Sequence, residues 1–276
     1  MVVARPELEE VELELLLEGV YRYYGYDFRD YAPSSLRRRI RERVRAEGLR
    51  TISGLKELVL HDRDAMERLL LGLSINVSAM FRDPDFYRAF RTKVVPLLRT
   101  YPFLRIWHAG CATGEEVYSM AILLQEEGLA ERARIYATDM NELVLRKARD
   151  GVMPLAAMRQ YTANYQQAGG TAAFSEYYTA SYGNAILRPD LRQNIVFAHH
   201  NLATDRAFNE FHVVLCRNVM IYFNHTLQKR VHDLLRDSLV RLGFLCLGAR
   251  ESLKFSELMP SYREFDRDHR IYRRIA

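Results

Sequence analysis

Apolar positions recur at three- and four-residue spacing from Glu7 to about Leu73, through VELELLLEGVYRYYG, LRRRIRERVRA and TISGLKELVLHDRDAMERLLLGL. That period marks helices that bury one face, so residues 1–75 read as a small all-helical domain. In the middle segment Leu36, Ile40 and Val44 form one apolar stripe. Ser34 and Ser35, after Pro33, are candidates for its N-cap, and Gly48 stands where such a helix stops.

After Pro102 the pattern changes to short apolar runs closed by small or polar residues: LRIWHAG, ARIYATD, NIVFAHHN, HVVLCRN and FLCLGA. Runs of this kind predict buried parallel strands. Helical stretches at Glu116 to Glu127 and Asn141 to Asp150 separate the first three, which is the alternation of a doubly wound α/β sheet. The ending YREFDRDHRIYRRI predicts an antiparallel hairpin around Asp266 to Arg270. Residues 161–194 are too long for a plain connection and too poor in helical periodicity for a helix pair, so a small insertion with strands is expected there.

Composition adds little to this picture. At 276 residues, 49% hydrophobic and 27% charged, the chain matches an ordinary globular protein and excludes a disordered, collagen-like or disulfide-dense one. No apolar run approaches the roughly 18 residues of a membrane span, and acids run through the first apolar stretch, unlike a secretory signal. A cytoplasmic protein without direct membrane insertion is expected. Cys111, Cys216 and Cys246 are widely spaced and suggest neither a disulfide framework nor a zinc site. Adjacent histidines on a strand, His199 and His200, point to opposite faces, so no metal is expected.

Charge does change the picture, because of where it sits. The chain carries 40 Lys plus Arg against 35 Asp plus Glu, a net +5. Residues 36–50 hold seven arginines and two glutamates, so this one segment accounts for the whole excess. It is either a solvated helix face or a docking face for an anionic partner. The segment lacks the interleaved aromatic or Gly residues of a nucleic-acid binder, and an acidic protein surface fits at least as well.

The first strand ends in GCATGEE (110–116) and leads straight into a helical stretch. Small residues there let backbone approach a ligand, and a helix start presents free N–H groups. Asp139 closes the second strand, 25 residues after Gly114. An acid at that place either accepts hydrogen bonds from ribose hydroxyls or caps the next helix. Phosphate binding is disfavoured, since the loop offers acids where a Lys or further glycines would be needed. S-adenosylmethionine suits such a loop: it has ribose hydroxyls, no phosphate and a positive sulfonium.

The stretches SINVSAMFRD (74–83), HAGCATGEEVYSMAI (108–122), YATDMNELVLRKARDG (136–151), HHNL (199–202) and LCRNVMIYF (215–223) resemble, in order and spacing, the chemotaxis receptor methyltransferases of the CheR family. The resemblance covers nearly the whole chain. It implies a helical domain at 1–75, followed at 76–276 by a Rossmann-like methyltransferase domain with a small β insertion and a C-terminal antiparallel hairpin. It also implies that Asn76, Ser78, Arg82, Gly110, Glu116, Asp139, Asn201, Leu202, Arg217 and Asn218 surround S-adenosylmethionine and its product S-adenosylhomocysteine. Arg82 and Tyr222 are placed near the methyl-transfer centre, and the basic helix, through Arg38, Arg41 and Arg45, on the substrate.

The implied reaction is methyl-ester formation on glutamates of methyl-accepting chemoreceptor helices by a monomeric enzyme, with no nucleic-acid partner. A methyltransferase of another protein carboxylate, or a cofactor-binding adaptor, are the alternatives. Ser78 and Met80 stand where the family usually has a TxFFR pattern, Val117 replaces a common Pro, and Arg250 a common His. A glutamate with pKa near 4.3 is ionised at neutral pH, so such a transfer requires alignment rather than a general base.

Overall fold

The computed structural model describes residues 7–74, 78–253 and 256–276. These divide into two compact units, the described residues within 1–75 together with 222–230, and those within 76–221 together with 231–276. The short segment 222–230, which the sequence reading puts in the second domain, thus packs with the first unit.

In the first unit the helices are α1 (Leu8–Tyr24), α2 (Pro33–Ala46), α3 (Ile52–His61) and α4 (Arg63–Leu73). Leu16, Val20, Ile40, Leu55, Val59 and Leu69 are buried at its centre. The third periodic stretch is two helices rather than one. Asp62 separates them, with extended backbone and a side chain that accepts from Asp64 N–H at 2.8 Å. On α2 the apolar stripe Leu36, Ile40 and Val44 is buried as the spacing predicts. Its N-cap, however, is Ala32, with Pro33 at the first position, so Ser34 and Ser35 lie inside the first turn. The helix closes with Gly48 N–H on Arg45 C=O and Leu49 N–H on Val44 C=O, the paired bonds of a Schellman end. Tyr222 belongs to this unit: its carbonyl accepts from Ala32 N–H at 2.8 Å and the Arg39 guanidinium lies 5.1 Å from its ring.

The second unit is built on a seven-stranded sheet. In chain order it contains α5 (Pro84–Ala89), α6 (Val95–Leu98), β1 (Leu104–Ala109), α7 (Glu115–Glu126), β2 (Ala133–Asp139), α8 (Glu142–Asp150), β3 (Val152–Pro154), α9 (Met158–Gln167), β4 (Tyr178–Ser181), β5 (Asn184–Leu187), β6 (Ile195–His199) and β7 (Phe211–Cys216). After these come β8 (Leu239–Leu247), β9 (Tyr262–Asp266) and β10 (Ile271–Arg274), while α10 (His225–Asp237) runs across the 230/231 division. The strand order is β6-β2-β1-β7-β8-β10-β9. The first five are mutually parallel, and β10 pairs antiparallel with both β8 and β9, which is the expected terminal hairpin. The chain moves outward from β1 through β2 to β6, then returns to the other side at β7. This reversal opens a crevice at the carboxyl ends of β1 and β7, where open sheets of this type bind ligands.

The insertion starts earlier than the sequence suggests. β3 joins β5 and β4 in a separate three-stranded antiparallel sheet, with Val152 opposite Ile186 and Tyr178 opposite Leu187. It also contains the helix α9, whose Met158, Tyr161 and Tyr165 are buried on one face. The tyrosines here pack. Glu126, at the end of α7, accepts hydrogen bonds from the Tyr165 and Tyr177 hydroxyls and from Thr171 N–H, which fastens the insertion to the helix that follows β1.

Candidate active site

The loop after β1 is held from beneath and from the side. Gly110 and Cys111 N–H both donate to Thr138 C=O at 2.9 Å, and Ala112 N–H donates to Asp139 Oδ2 at 3.0 Å. Gly110 has φ +80°, and a Cβ placed there would lie 2.7 Å from Val219 Cγ2, so this close approach of two loops excludes a side chain. The Cys111 thiol is buried, which pushes its pKa well above the usual value and leaves it unreactive at neutral pH.

Asp139 does not cap the next helix. Asn141 does, accepting from Leu143 N–H at 2.9 Å, while Asp139 Oδ1 accepts from Asn141 N–H at 3.0 Å. Burial raises the Asp139 pKa, opposed by the hydrogen bonds from the Asn141 and Ala112 N–H groups. Each of its oxygens takes one of these backbone bonds and Met140 N–H adds a third; a carboxylate offers about four acceptor sites, so capacity remains for a ribose hydroxyl.

On α7 the two acids have different surroundings. Burial raises the Glu115 pKa, against hydrogen bonds from Thr113 and Ser78. Glu116 reaches His108 Nδ1 at 3.0 Å with one oxygen and Arg217 Nη1 at 2.9 Å with the other. Burial works against its ionised form, but the His108 hydrogen bond and the Arg217 charge hold its pKa below the usual carboxylate range.

Arg217 gathers the remaining pieces. Its side chain is 2% exposed, lies 4.1 Å over the Phe86 ring, and also pairs with Asp83 Oδ2 at 2.8 Å. Its guanidinium further donates to the Arg82 carbonyl at 3.4 and 3.5 Å. Arg82 is flanked by Phe81 at φ +52° and Asp83 at φ +58°. A bulky residue in the left-handed region is strained and persists only where its surroundings fix it. Phe81 is fully buried and its N–H donates to Ser119 Oγ at 2.8 Å. Ala112 (φ +48°) and Asn218 (φ +62°) share this conformation, so four left-handed non-glycine residues lie in the segments that form the site.

The residues singled out from the sequence separate into groups. Arg82, Glu116 and Arg217 are joined directly, Ser78 bonds Glu115 beside Glu116, Asp139 holds the Gly110 loop through Ala112, and Asn218 follows Arg217 in the loop after β7. Asn201 and Leu202 are buried at the end of β6, where His200 N–H donates to Asp139 C=O at 3.1 Å. Asn201 uses its side-chain oxygen to accept from Ala203 N–H at 3.0 Å. Asn76 lies outside the described residues. Tyr222, Arg38, Arg41 and Arg45 belong to the first unit. There Arg38, Arg41 and Arg45 are exposed along one side of α2, though Arg41 pairs with both oxygens of Glu9 at 2.7 Å. Arg39 is buried, with its guanidinium on Leu73 C=O.

Three contributors were not picked out from the sequence: His108, Asp83 and Glu251. The GARES stretch points to the last of these only by position. Its Arg250 is exposed, whereas Glu251 is buried and accepts four backbone N–H bonds.

The donor set fits S-adenosylmethionine. Asp139 has acceptor capacity left for ribose. The 110–116 loop offers no Lys or Arg to a phosphate.

A mixed sheet with this strand order, five parallel strands, a small-residue loop after β1 and an acid at the end of β2 defines a Rossmann-like methyltransferase fold. Comparison with known families then places it more closely. Residues 11–74 match the CheR methyltransferase all-alpha domain and residues 76–265 match the CheR methyltransferase SAM binding domain, so the chain belongs to the CheR methyltransferase family. It is 51% identical to the "Putative methyltransferase Cher3" of Pseudomonas putida, covering 96% of this chain and 97% of that one. It is 28% identical to the chemotaxis protein methyltransferase of Listeria innocua, over 90% and 92% of the two chains. To that of Salmonella typhimurium it is also 28% identical, over 95% and 88%. The protein is thus an S-adenosylmethionine-dependent methyltransferase. Among the described residues no helix is long and apolar enough to cross a membrane.

Proposed function

We propose that this protein methylates glutamate side-chain carboxylates on the cytoplasmic helices of chemoreceptors, acting as a monomer in the cytoplasm. S-adenosylmethionine, when bound, supplies an electrophilic methyl group on a positively charged sulfur. Asp139 accepts a ribose hydroxyl. Ser78, Glu116, Asn201, Leu202, Arg217 and Asn218 complete the cofactor pocket with Gly110 and, outside the described residues, Asn76.

The observation that carries the choice of a carboxylate is the fixed backbone of Arg82. A segment pinned by Phe81, Asp83 and Arg217 gives the Arg82 side chain a fixed origin from which to meet an anionic group. Orientation of this kind contributes roughly 7 to 11 kcal/mol in intramolecular reactions. The substrate is already ionised, so no side chain has to remove a proton. Arg82 acts by positioning; a tighter ion pair would blunt the nucleophile. Tyr222 orients the carboxylate or the sulfonium in this scheme, a role that rests on the family motif alone. The exposed Arg38, Arg41 and Arg45 face docks the acidic receptor segment. The relatives named as chemotaxis protein methyltransferases support a substrate within chemotaxis.

The test is tritiated methyl transfer from S-adenosylmethionine to receptor-bearing membranes, followed by treatment with alkali. Carboxyl methyl esters hydrolyse and N-methyl groups do not. Base-labile label on receptor glutamates is expected. No incorporation alongside intact S-adenosylhomocysteine binding would replace this reading with a cofactor-binding adaptor, and base-stable label would replace the carboxylate substrate.

A further inference from the structure

Glu251 lies just beyond β8, yet it closes the loop after β7. Its Oε1 accepts from Val219 N–H at 2.9 Å and Met220 N–H at 2.8 Å. Its Oε2 accepts from Asn218 N–H at 2.9 Å and Gly248 N–H at 2.7 Å. The residue is 6% exposed. Three successive N–H groups converge on one carboxylate only if the chain turns sharply, and Asn218 supplies that turn with φ +62°. The approach is close on the β8 side as well. A Cβ on Gly248 would lie 2.7 Å from Asn218 N and 2.8 Å from Glu251 Oε2.

The consequence runs along the chain to Arg217, the residue before the turn. Arg217 reaches Glu116, Asp83 and the Arg82 carbonyl, so the direction in which it leaves the β7 loop sets all three. We infer that Glu251 is a positioning residue for methyl transfer, holding Asn218 for the cofactor and aiming Arg217 at the Arg82 segment. The inference rests on the cofactor and carboxylate assignments proposed above for Asn218 and Arg82.

A neutral isostere separates charge from shape. Glutamine offers one acceptor oxygen and one NH2 donor, so whichever way it is turned, two backbone N–H groups face a donor. Burial without a partner is costly for such groups. Aspartate keeps both acceptor oxygens and the charge at a shorter reach.

The experiment compares Glu251→Gln, Glu251→Asp and Asn218→Ala with the wild type. S-adenosylhomocysteine binding is read by calorimetry, kcat and KM by methyl transfer, and the amide shifts of 218–220 and 248 by NMR. Glu251→Gln is expected to weaken S-adenosylhomocysteine binding at least tenfold and to lower kcat as well as raise the cofactor KM. The same four amide resonances should move upfield and cooperative unfolding should persist, with Glu251→Asp recovering part of each loss. If Glu251→Gln does not fold, Glu251→Asp carries the test with the same signs. Wild-type affinity and kcat in the folded glutamate variant, with Asn218→Ala impaired, would overturn the positioning role alone. Wild-type binding by Asn218→Ala would overturn the cofactor assignment beneath it.

Discussion

Glu116 and Arg217 meet at 2.9 Å, one from the first turn of α7 and the other from the loop after β7, across the crevice between the two central strands. The Arg217 side chain is almost fully enclosed and that of Glu116 is 19% exposed. Removing one partner from such a pair leaves the other charge without compensation, at a cost of about 3 kcal/mol. Arg217→Met is therefore expected to lose stability on that order in denaturant unfolding and to lose S-adenosylhomocysteine binding. The double variant Arg217→Met/Glu116→Gln should regain part of the stability and none of the binding.

Arg82→Ala should behave differently from that pair. Its side chain is assigned to the substrate carboxylate, whereas its backbone holds the segment and is unchanged by the substitution. Receptor methylation is expected to fall by a factor of about a hundred or more, roughly 2.7 kcal/mol in transition-state terms, with S-adenosylhomocysteine affinity within a fewfold. Undiminished turnover with normal cofactor binding would remove Arg82 from the reaction.

Replacing Arg38, Arg41 and Arg45 together with Ala should reduce the rate of receptor methylation and flatten its dependence on salt. Exposed charges act over a Debye length of about 8 to 10 Å and chiefly raise association rates. Methylation kinetics and salt dependence unchanged by the triple substitution would make this side of α2 a solvated surface. Arg41→Ala by itself is expected to do less than Arg45→Ala, because Arg41 is already paired with Glu9, as Arg38 is more loosely with Glu42 at 3.4 Å.

His232 gives the fold an acid-side pH dependence of its own. Burial pushes its imidazole pKa down to about 4 from the ordinary value near 6.5. Between those values the unfolded chain takes up a proton and the folded chain does not. Stability therefore rises with pH through that window, and about 3 kcal/mol is lost on going down to pH 4. Urea unfolding at pH 7 and at pH 4.5 should show this loss in the wild type and a smaller one in His232→Leu.

Gly110→Ala is expected to abolish cofactor binding while leaving the helical unit folded. The new methyl group would collide with Val219, and the backbone at φ +80° disfavours any side chain. Normal S-adenosylhomocysteine affinity in this variant would show that the two loops separate without cost.

Much of the architecture is legible in the sequence. The buried stripe of α2, the five parallel strands and the terminal hairpin follow from local periodicity, because a residue's place on a helix or strand face is set within a few positions of itself. The small sheet was less legible. Val152–Pro154 is three residues long and finds its partner Asn184–Leu187 some thirty positions away, and the helical spacing of Met158, Tyr161 and Tyr165 is hidden among tyrosines. The ordered motifs likewise identified the family.

Sequence by itself therefore determined the order of elements, the concentration of positive charge in one helix, and the acids of the cofactor loop. Tertiary structure decided what those charges meet. Of the basic helix, it buries Arg39, pairs Arg41 with Glu9, Arg37 with Glu10 and, within the helix, Arg38 with Glu42, and leaves Arg45 exposed. It turns Asp139 from a possible helix cap into the tie between two loops, and it makes Glu251 the acceptor for a loop thirty residues earlier in the chain. Hydrogen bonds and ion pairs between distant segments depend on how strands are ordered in the sheet, and that order is fixed by packing the whole chain rather than by any local pattern.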